Sequence, residues 1–367
     1  MLKPDQKYLL ALNRYPKLGS KRLLLLKGRV GEWSRVWGAT EAELRAKVGD
    51  ELAKIVVDAR KKSDPAHEAD IVCRIGASII EHGDADYPES LKELPDPPAL
   101  LYVRGALSSL DYTTIAVVGS RMATEYGLRM TENIVRPLAA SGITIISGLA
   151  YGIDAAAHQA ALDGRGKTVG VLGCGLDRIY PQSHTALGER MIKEGGAVIS
   201  EFAPGLPSYR ANFPIRNRIV AGLAKLTLVV EAMASSGALI TAKAALEYNR
   251  EVAAVPGDVT RLQAAGSNEL LRQGAAVVTK ADNVLEMLGL VSGIGKLDSD
   301  ISETDTGTLS AEERQIWDKL TREPVHINAI VKDLKLDIAD ANSTLVMLEL
   351  NGFVKRLGGN YYVKNVQ

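Results

Sequence analysis

Between Thr113 and about Leu290 the sequence alternates short, predominantly apolar runs with amphipathic stretches, and few folds tolerate that pattern. The apolar runs fall at Ile115–Val118, Thr144–Ile146, Thr168–Leu172, Ala197–Ser200, Leu226–Val230, Val252–Val255 and Ala276–Val278. A strand that is apolar at every position must be covered on both faces, so these runs predict a buried parallel sheet. Helices are predicted between them at Glu125–Ala140, Ala155–Leu162, Ser183–Lys193, Ile215–Ala224, Leu239–Tyr248 and Asn268–Gln273. The expected fold class is α/β, a Rossmann-like doubly wound sheet. Right-handed crossovers then gather every strand-to-helix turn along the carboxyl edge, where ligands bind.

The turns on that edge are rich in glycine. The first strand runs TTIAVVGSR and ends at Gly119, Ser120 and Arg121. Later turns carry Gly148 and Gly152 in SGLAYGID, Gly173-Cys174-Gly175, and Ser235-Ser236-Gly237. Glycine allows close approach of a ligand to the backbone, and N–H groups at a helix start favour an anion, so the edge is predicted to bind phosphate. None of these turns fits G-x-G-x-x-G or G-x-x-x-x-G-K-[ST], so no nucleotide cofactor is expected.

A second cluster, YRANFPIRNR, holds Arg210, Phe213, Arg216, Asn217 and Arg218. Arg216 falls in the first turn of a helix and points either into an internal ion pair or toward a ligand. Phe213 lies between cations and either packs into the core or stacks on a base while arginines hold phosphates. Asp154 reads as a helix N-cap and His158, in AAAHQAAL, as a packing residue. No G-x-S-x-G elbow, paired-carboxylate motif or H-E-x-x-H is visible, so neither catalytic nor metal-binding residues are predicted.

Lys+Arg and Asp+Glu both number 44, so a nucleic-acid site would have to be a local patch on a neutral protein. Two cysteines, Cys73 and Cys174, in no CxxC pattern suit a reducing compartment. With no signal-like N-terminus and no apolar run of about 18 residues, a cytoplasmic location is expected.

Residues 1–82 read as a small helical domain of helix-hairpin-helix or SAM-like type, helical from Lys3 to about Ile80. A connector follows, in which Pro88, Pro95, Pro97 and Pro98 are expected to exclude helix. The Rossmann-like domain is expected over 83–290 and a polar linker over 291–308. Over 309–367, helices at Leu309–Leu320, Ile327–Leu334 and Ala339–Asn351 precede a hairpin, the winged-helix layout. Its third helix has no Lys or Arg, and only the wing offers Lys355, Arg356 and Lys364. That domain is therefore expected to contact protein, or to hold DNA weakly.

VVGSR, SGLAYGIDAAAH, VLGCGLDRIYP, SEFAPG, FPIRNRIVAGLA, VVEAMASSGALITA and VPGD, in that order from Asp96 to about Val278, closely resemble the DNA-processing protein A family (DprA, or Smf). The resemblance implies a dimeric, non-enzymatic single-stranded-DNA-binding protein of natural transformation that protects incoming strands and loads the recombinase RecA. It also implies that Arg121, Arg210 and Phe213 contact the strand, with backbone donors from the glycine turns; with the residues read above, the expected DNA-binding set is Gly119, Ser120, Arg121, Gly148, Gly152, Arg210, Phe213, Arg216, Asn217, Arg218, Ser236 and Gly237. The alternative is a nucleotide-processing phosphoribohydrolase of the related LOG type. Its P-G-G-x-G-T-x-x-E signature carries a catalytic Glu that SSGALIT lacks.

Overall fold

The computed structural model describes residues 2–290, 309–320, 325–334, 336–350, 353–357 and 360–364. The chain divides into two compact units, Met1–Ser292 and Gly293–Gln367. Residues 291–308, where the linker is expected, lie outside the described residues.

The first unit opens with helices α1 (Gln6–Asn13), α2 (Ser20–Val30), α3 (Trp33–Gly38), α4 (Glu41–Val48), α5 (Asp50–Lys62) and α6 (Pro65–Arg74). Helix α4 starts at a capping box, in which Thr40 and Glu43 satisfy each other's backbone N–H groups. The helical reading fails at the end of this segment. Ser78–Glu81 is a strand, β1, paired antiparallel with β2 (Leu100–Gly105). Between them α7 (Glu89–Lys92) forms one helical turn inside the proline-rich connector. Pro88 immediately precedes it, and a proline there removes no helical hydrogen bond.

The rest of the unit is β3 (Thr114–Val118), α8 (Glu125–Ala140), β4 (Thr144–Ser147), α9 (Ile153–Asp163), β5 (Thr168–Val171), α10 (Thr185–Lys193), β6 (Ala197–Ser200), α11 (Asn212–Leu223), β7 (Leu226–Val229), α12 (Gly237–Glu247), β8 (Glu251–Ala254), α13 (Ala265–Arg272), β9 (Ala276–Val277) and α14 (Ala281–Met287). The sheet order is β1-β2-β6-β5-β4-β3-β7-β8-β9. It is parallel from β6 to β9, while β2 joins β6 antiparallel and so makes the sheet mixed at one edge.

Alternation along each strand explains the apolar runs. In β3, Ile115 and Val117 enter one core with Ile134 and Leu138 of α8 and Ile153 and Ala157 of α9. Ala116 and Val118 enter another, on the opposite face, with Ile219 and Val220 of α11 and Ala242 of α12. A third core joins Leu9, Leu23, Leu26, Trp33 and Val56 of the N-terminal helices to Tyr102 of β2 and Val198 of β6. Asn13 Nδ2 donates to the Tyr102 hydroxyl and the Glu201 carbonyl at 3.3 and 3.1 Å, and Trp33 Nε1 to Glu81 at 2.8 Å. The N-terminal helices are thus packed directly onto the antiparallel edge of the sheet.

The second unit has α15 (Ala311–Lys319), β10 (Val325–His326), α16 (Ile327–Leu334), α17 (Ile338–Leu350), β11 (Val354–Leu357) and β12 (Tyr361–Lys364). Strand β12 lies between β10 and β11, the winged-helix arrangement with one strand more than predicted. Ile316, Ile330, Leu345, Leu348 and Tyr362 fill its core. Lys364 lies 3.8 Å from the Trp317 ring centroid, so this wing cation covers an aromatic of its own unit. Among the described residues no helix is long and apolar enough to cross a membrane.

Candidate nucleic-acid interface

Strands β3 and β7 are neighbours, yet the helices that follow them, α8 and α12, pack on opposite faces. Such a switch point opens a crevice at the carboxyl edge. Here it is a cleft of about 500 Å³. Gly119, Ser120 and Arg121 line it from the β3 turn and Gly148 from the β4 turn. Arg210, Phe213, Arg216 and Asn217 line it from the start of α11, and Ser236 and Gly237 from the start of α12.

Phe213 is the centre of this cleft and does not sink into the core; it is half-buried. The Arg121 guanidinium lies 5.0 Å from its ring centroid, Arg216 lies 6.0 Å away, and the Tyr180 ring is also at 6.0 Å. Gly173 accommodates the ring from beneath, since a Cβ there would come within 3.1 Å of it. Arg121 and Arg210 are exposed, and among the described residues neither has a carboxylate partner. An exposed cation beside an aromatic ring, with a second exposed cation lining the same cleft, matches the chemistry of a nucleotide strand.

Arg216 turns inward instead. It is 4% exposed and donates from Nη1 to the Gly148 carbonyl at 2.6 Å and to the Val171 carbonyl. Burial pulls the pKa of its guanidinium down, and the charge of Asp154 opposes that. Arg216 is therefore the buried cation that fixes the β4 turn and backs the Phe213 ring. Gly148 is required for this, because a Cβ would lie 2.5 Å from Arg216 Cζ.

The expected supply of backbone donors is largely spent within the protein. Ser120 N–H donates to the Glu231 carbonyl at 2.6 Å, and Met122 N–H to Ser120 Oγ at 3.1 Å. The start of α8 is occupied by the buried carboxylate of Glu231, which accepts from Thr124 N–H at 2.8 Å and Thr124 Oγ1 at 2.7 Å. An internal anion thus fills the place a phosphate would take at that helix N-terminus. Gly148 and Ala150 N–H donate to Asp154 at 3.1 and 3.4 Å. Asp154 is accordingly no N-cap, a position held by Gly152; it braces the preceding turn. Burial pushes its carboxyl pKa up, while Arg216 and those N–H groups pull it back.

Two predicted strand contacts lie elsewhere. Gly152 supports the β3 turn from below, where a Cβ would collide with the Ser120 carbonyl. Arg218 is buried and paired with Glu201 at 2.5 Å and Asp96 at 3.4 Å, facing the N-terminal helices. Residues two apart on a helix point about 200° apart, so Arg216 and Arg218 cannot share a cleft.

His158 is buried and, with its pKa lowered by burial to about 3, uncharged. The Thr168 hydroxyl gives its hydrogen to the Ile145 carbonyl and so accepts from His158 Nδ1 at 2.6 Å. Glu231, Asp154, Glu201 and His158 are all engaged in holding the framework. Sequence reasoning missed Glu231 and Tyr180, though both stand within quoted motifs, at the end of β7 and in DRIYP.

The model of the DNA recombination-mediator protein A family matches residues 78–289. The chain belongs to that family. The DprA winged helix domain matches residues 302–360. The chain is 33% identical to Protein Smf of Synechocystis over 99% of both chains, and 37% identical to Protein Smf of Escherichia coli over 75% of this chain and 74% of that one. It resembles the structure of DNA processing protein A from Streptococcus pneumoniae, with a TM-score of 0.67 and 32% identity over 76% of this chain and 97% of that one. It also resembles the Helicobacter pylori DNA processing protein A solved for its single-stranded DNA binding mode. There the TM-score is 0.53 and the identity 30%, over 58% and 96% of the two chains. The family is one of DNA-processing proteins.

Proposed function

We propose that this chain binds single-stranded DNA without strong sequence preference across the switch-point cleft, as a recombination mediator and not an enzyme. The half-buried Phe213 ring with the exposed Arg121 guanidinium 5.0 Å from its centroid, in a cleft that Arg210 also lines, carries the reading. Bases stack on the ring, which every base can do, and the arginines hold phosphates. The carboxylates Glu231 and Asp154 at the same edge are bound to backbone N–H groups, which leaves neither placed to act as a base. The Helicobacter pylori relative, known for a single-stranded DNA binding mode, supports the same substrate.

The binding experiment uses a fluorescent oligo-dT over a range of salt. Wild type should bind single strands tightly and lose affinity steeply with salt. Arg121→Ala should weaken binding by about 1–3 kcal/mol, the loss of a charge-assisted phosphate contact. Equal affinity for duplex and single strand refutes the proposal, and release of free base from a nucleoside monophosphate would replace it with the hydrolase. The finer role we propose, which the family resemblance supports, is that of a cytoplasmic homodimer that protects incoming strands in natural transformation and loads RecA onto them. Its measurements are sedimentation equilibrium and RecA filament nucleation on protein-coated strands. A monomer at micromolar concentration, or no acceleration of nucleation, would remove those parts alone.

A further inference from the structure

A second groove of about 640 Å³ lies between the N-terminal helices and the sheet, outside the cleft assigned above. Its outer wall is the turn from Pro16 into α2, with Lys17, Ser20 and Lys21, and its inner wall is the start of α11, with Tyr209 and Ile215. The two recesses share one dividing ridge. Arg210, Phe213 and Arg216 face the switch-point cleft, whereas Tyr209, Asn212, Ile215 and Arg218 face this groove. Arg210 and Tyr209, adjacent in the chain, stand on opposite sides of the ridge.

Charge and exposure give this groove the same chemistry as the cleft. Lys17 and Lys21 are exposed, and among the described residues neither has a carboxylate partner. The carboxylates that border the groove, Glu201 and Asp96, are both bound by Arg218, and Arg22 is paired with Glu51 at 2.8 Å. Two cations are thus left without internal neutralisation. Tyr209, 59% exposed, places an aromatic ring on the groove wall beside them.

We propose that the DNA strand held at Arg121 and Phe213 crosses the ridge and continues along this groove, with Lys17 and Lys21 on its phosphates and Tyr209 stacked on a base. This rests on the single-strand reading of the switch-point cleft. The N-terminal helices then form one bank of a channel, and the length of strand covered exceeds what the sheet edge alone can hold. A flexible backbone lined by cations with interspersed aromatic faces is the binding mode of sequence-tolerant single-strand proteins.

The test uses full-length protein with oligo-dT in a short form, about enough to fill the cleft, and a form about three times longer, the range over which single-strand sites differ in size. Lys17→Gln/Lys21→Gln should leave the short oligonucleotide's affinity unchanged and weaken the long one about tenfold. For the long form it should also lower the slope of log K against log salt by about 1.4, the value for two phosphate contacts on a single strand. Tyr209→Ala should act on the long form only. Arg121→Ala should weaken both forms. If the lysine and tyrosine variants bind both lengths like wild type while Arg121→Ala is impaired, the channel is refuted and the cleft stands. That outcome would leave the groove to an acidic protein segment. Equal loss on both lengths would also refute the channel, as a general charge effect. If Arg121→Ala binds both lengths normally, the cleft itself is wrong and the channel falls with it. Thermal unfolding of each variant at the wild-type midpoint excludes misfolding, since all four positions are at the surface.

Discussion

Gly148→Ala and Gly237→Ala both add one methyl group to the same cleft and should have opposite consequences. At Gly237, the first residue of α12, nothing lies within 4 Å of the added Cβ. Alanine there gains helix propensity and is expected to be neutral or to stabilise by up to about 1 kcal/mol. At Gly148 the Cβ would lie 2.5 Å from Arg216 Cζ and from Nη1. The guanidinium cannot swing outward without abandoning the Gly148 and Val171 carbonyls. Each charge-assisted hydrogen bond to a buried carbonyl is worth about 1.5–3 kcal/mol, so losing both costs at least about 3 kcal/mol. Urea unfolding followed by circular dichroism should therefore place Gly148→Ala at least about 3 kcal/mol below wild type and Gly237→Ala at or above it. The displaced guanidinium also removes the backing of Phe213, so Gly148→Ala should bind oligo-dT less tightly than Gly237→Ala even at temperatures where both are folded. If Gly148→Ala unfolds within about 0.5 kcal/mol of wild type, Arg216 is not the fixed cation described here.

Glu231→Gln replaces two acceptor contacts at the start of α8 with an amide that meets donors, and should destabilise by about 1–3 kcal/mol in the same urea assay. An unchanged midpoint would show that the carboxylate does not cap the helix. His158 is kept uncharged in the folded protein down to about pH 3, whereas the unfolded chain takes up its proton near 6.5. The unfolded state holds the extra proton between those values, so the stability due to His158 is whole above pH 6.5 and declines as pH falls toward 3, by up to about 4 kcal/mol. His158→Leu should flatten that part of the stability–pH profile, and a variant profile parallel to wild type would contradict the assignment. Deleting residues 309–367 should leave single-strand affinity within a few-fold, because α17 offers no Lys or Arg and Lys364 is held over Trp317; a loss of two orders of magnitude would place the DNA site in the winged helix.

What the sequence disclosed, and what it hid, divides by the range of the interactions. The parallel strands were legible because burial on both faces writes itself into every position of a run such as Ile115–Val118. The carboxyl-edge cleft was legible for the same reason, since crossover handedness places the turns without reference to any side chain. The antiparallel edge was not: β1 is only Ser78–Glu81, adjoins a helical segment and makes its pairing with a strand from beyond the proline connector. The fate of the glycine turns was also hidden. VVGSR displays its donors to anyone reading it as a peptide, but Glu231, which fills the start of α8, comes from β7, brought alongside β3 only by the sheet order. The Arg216 and Arg218 pair is a different case, because it required no long-range knowledge. Helical geometry alone sets arginines two apart on opposite sides, and assigning both to one strand ignored it. The linings of the two recesses divide the ridge further, with Arg210, Phe213 and Arg216 on the cleft and Tyr209, Asn212, Ile215 and Arg218 on the groove. A turn that began as a generic anion site is thus narrowed by what its neighbours have already claimed: with the Ser120, Met122, Gly148 and Ala150 N–H groups used internally, what the turn still offers is the Arg121 charge beside an aromatic ring, and that is the ground on which the proposed ligand is a polymer of stacked bases and not a single phosphate.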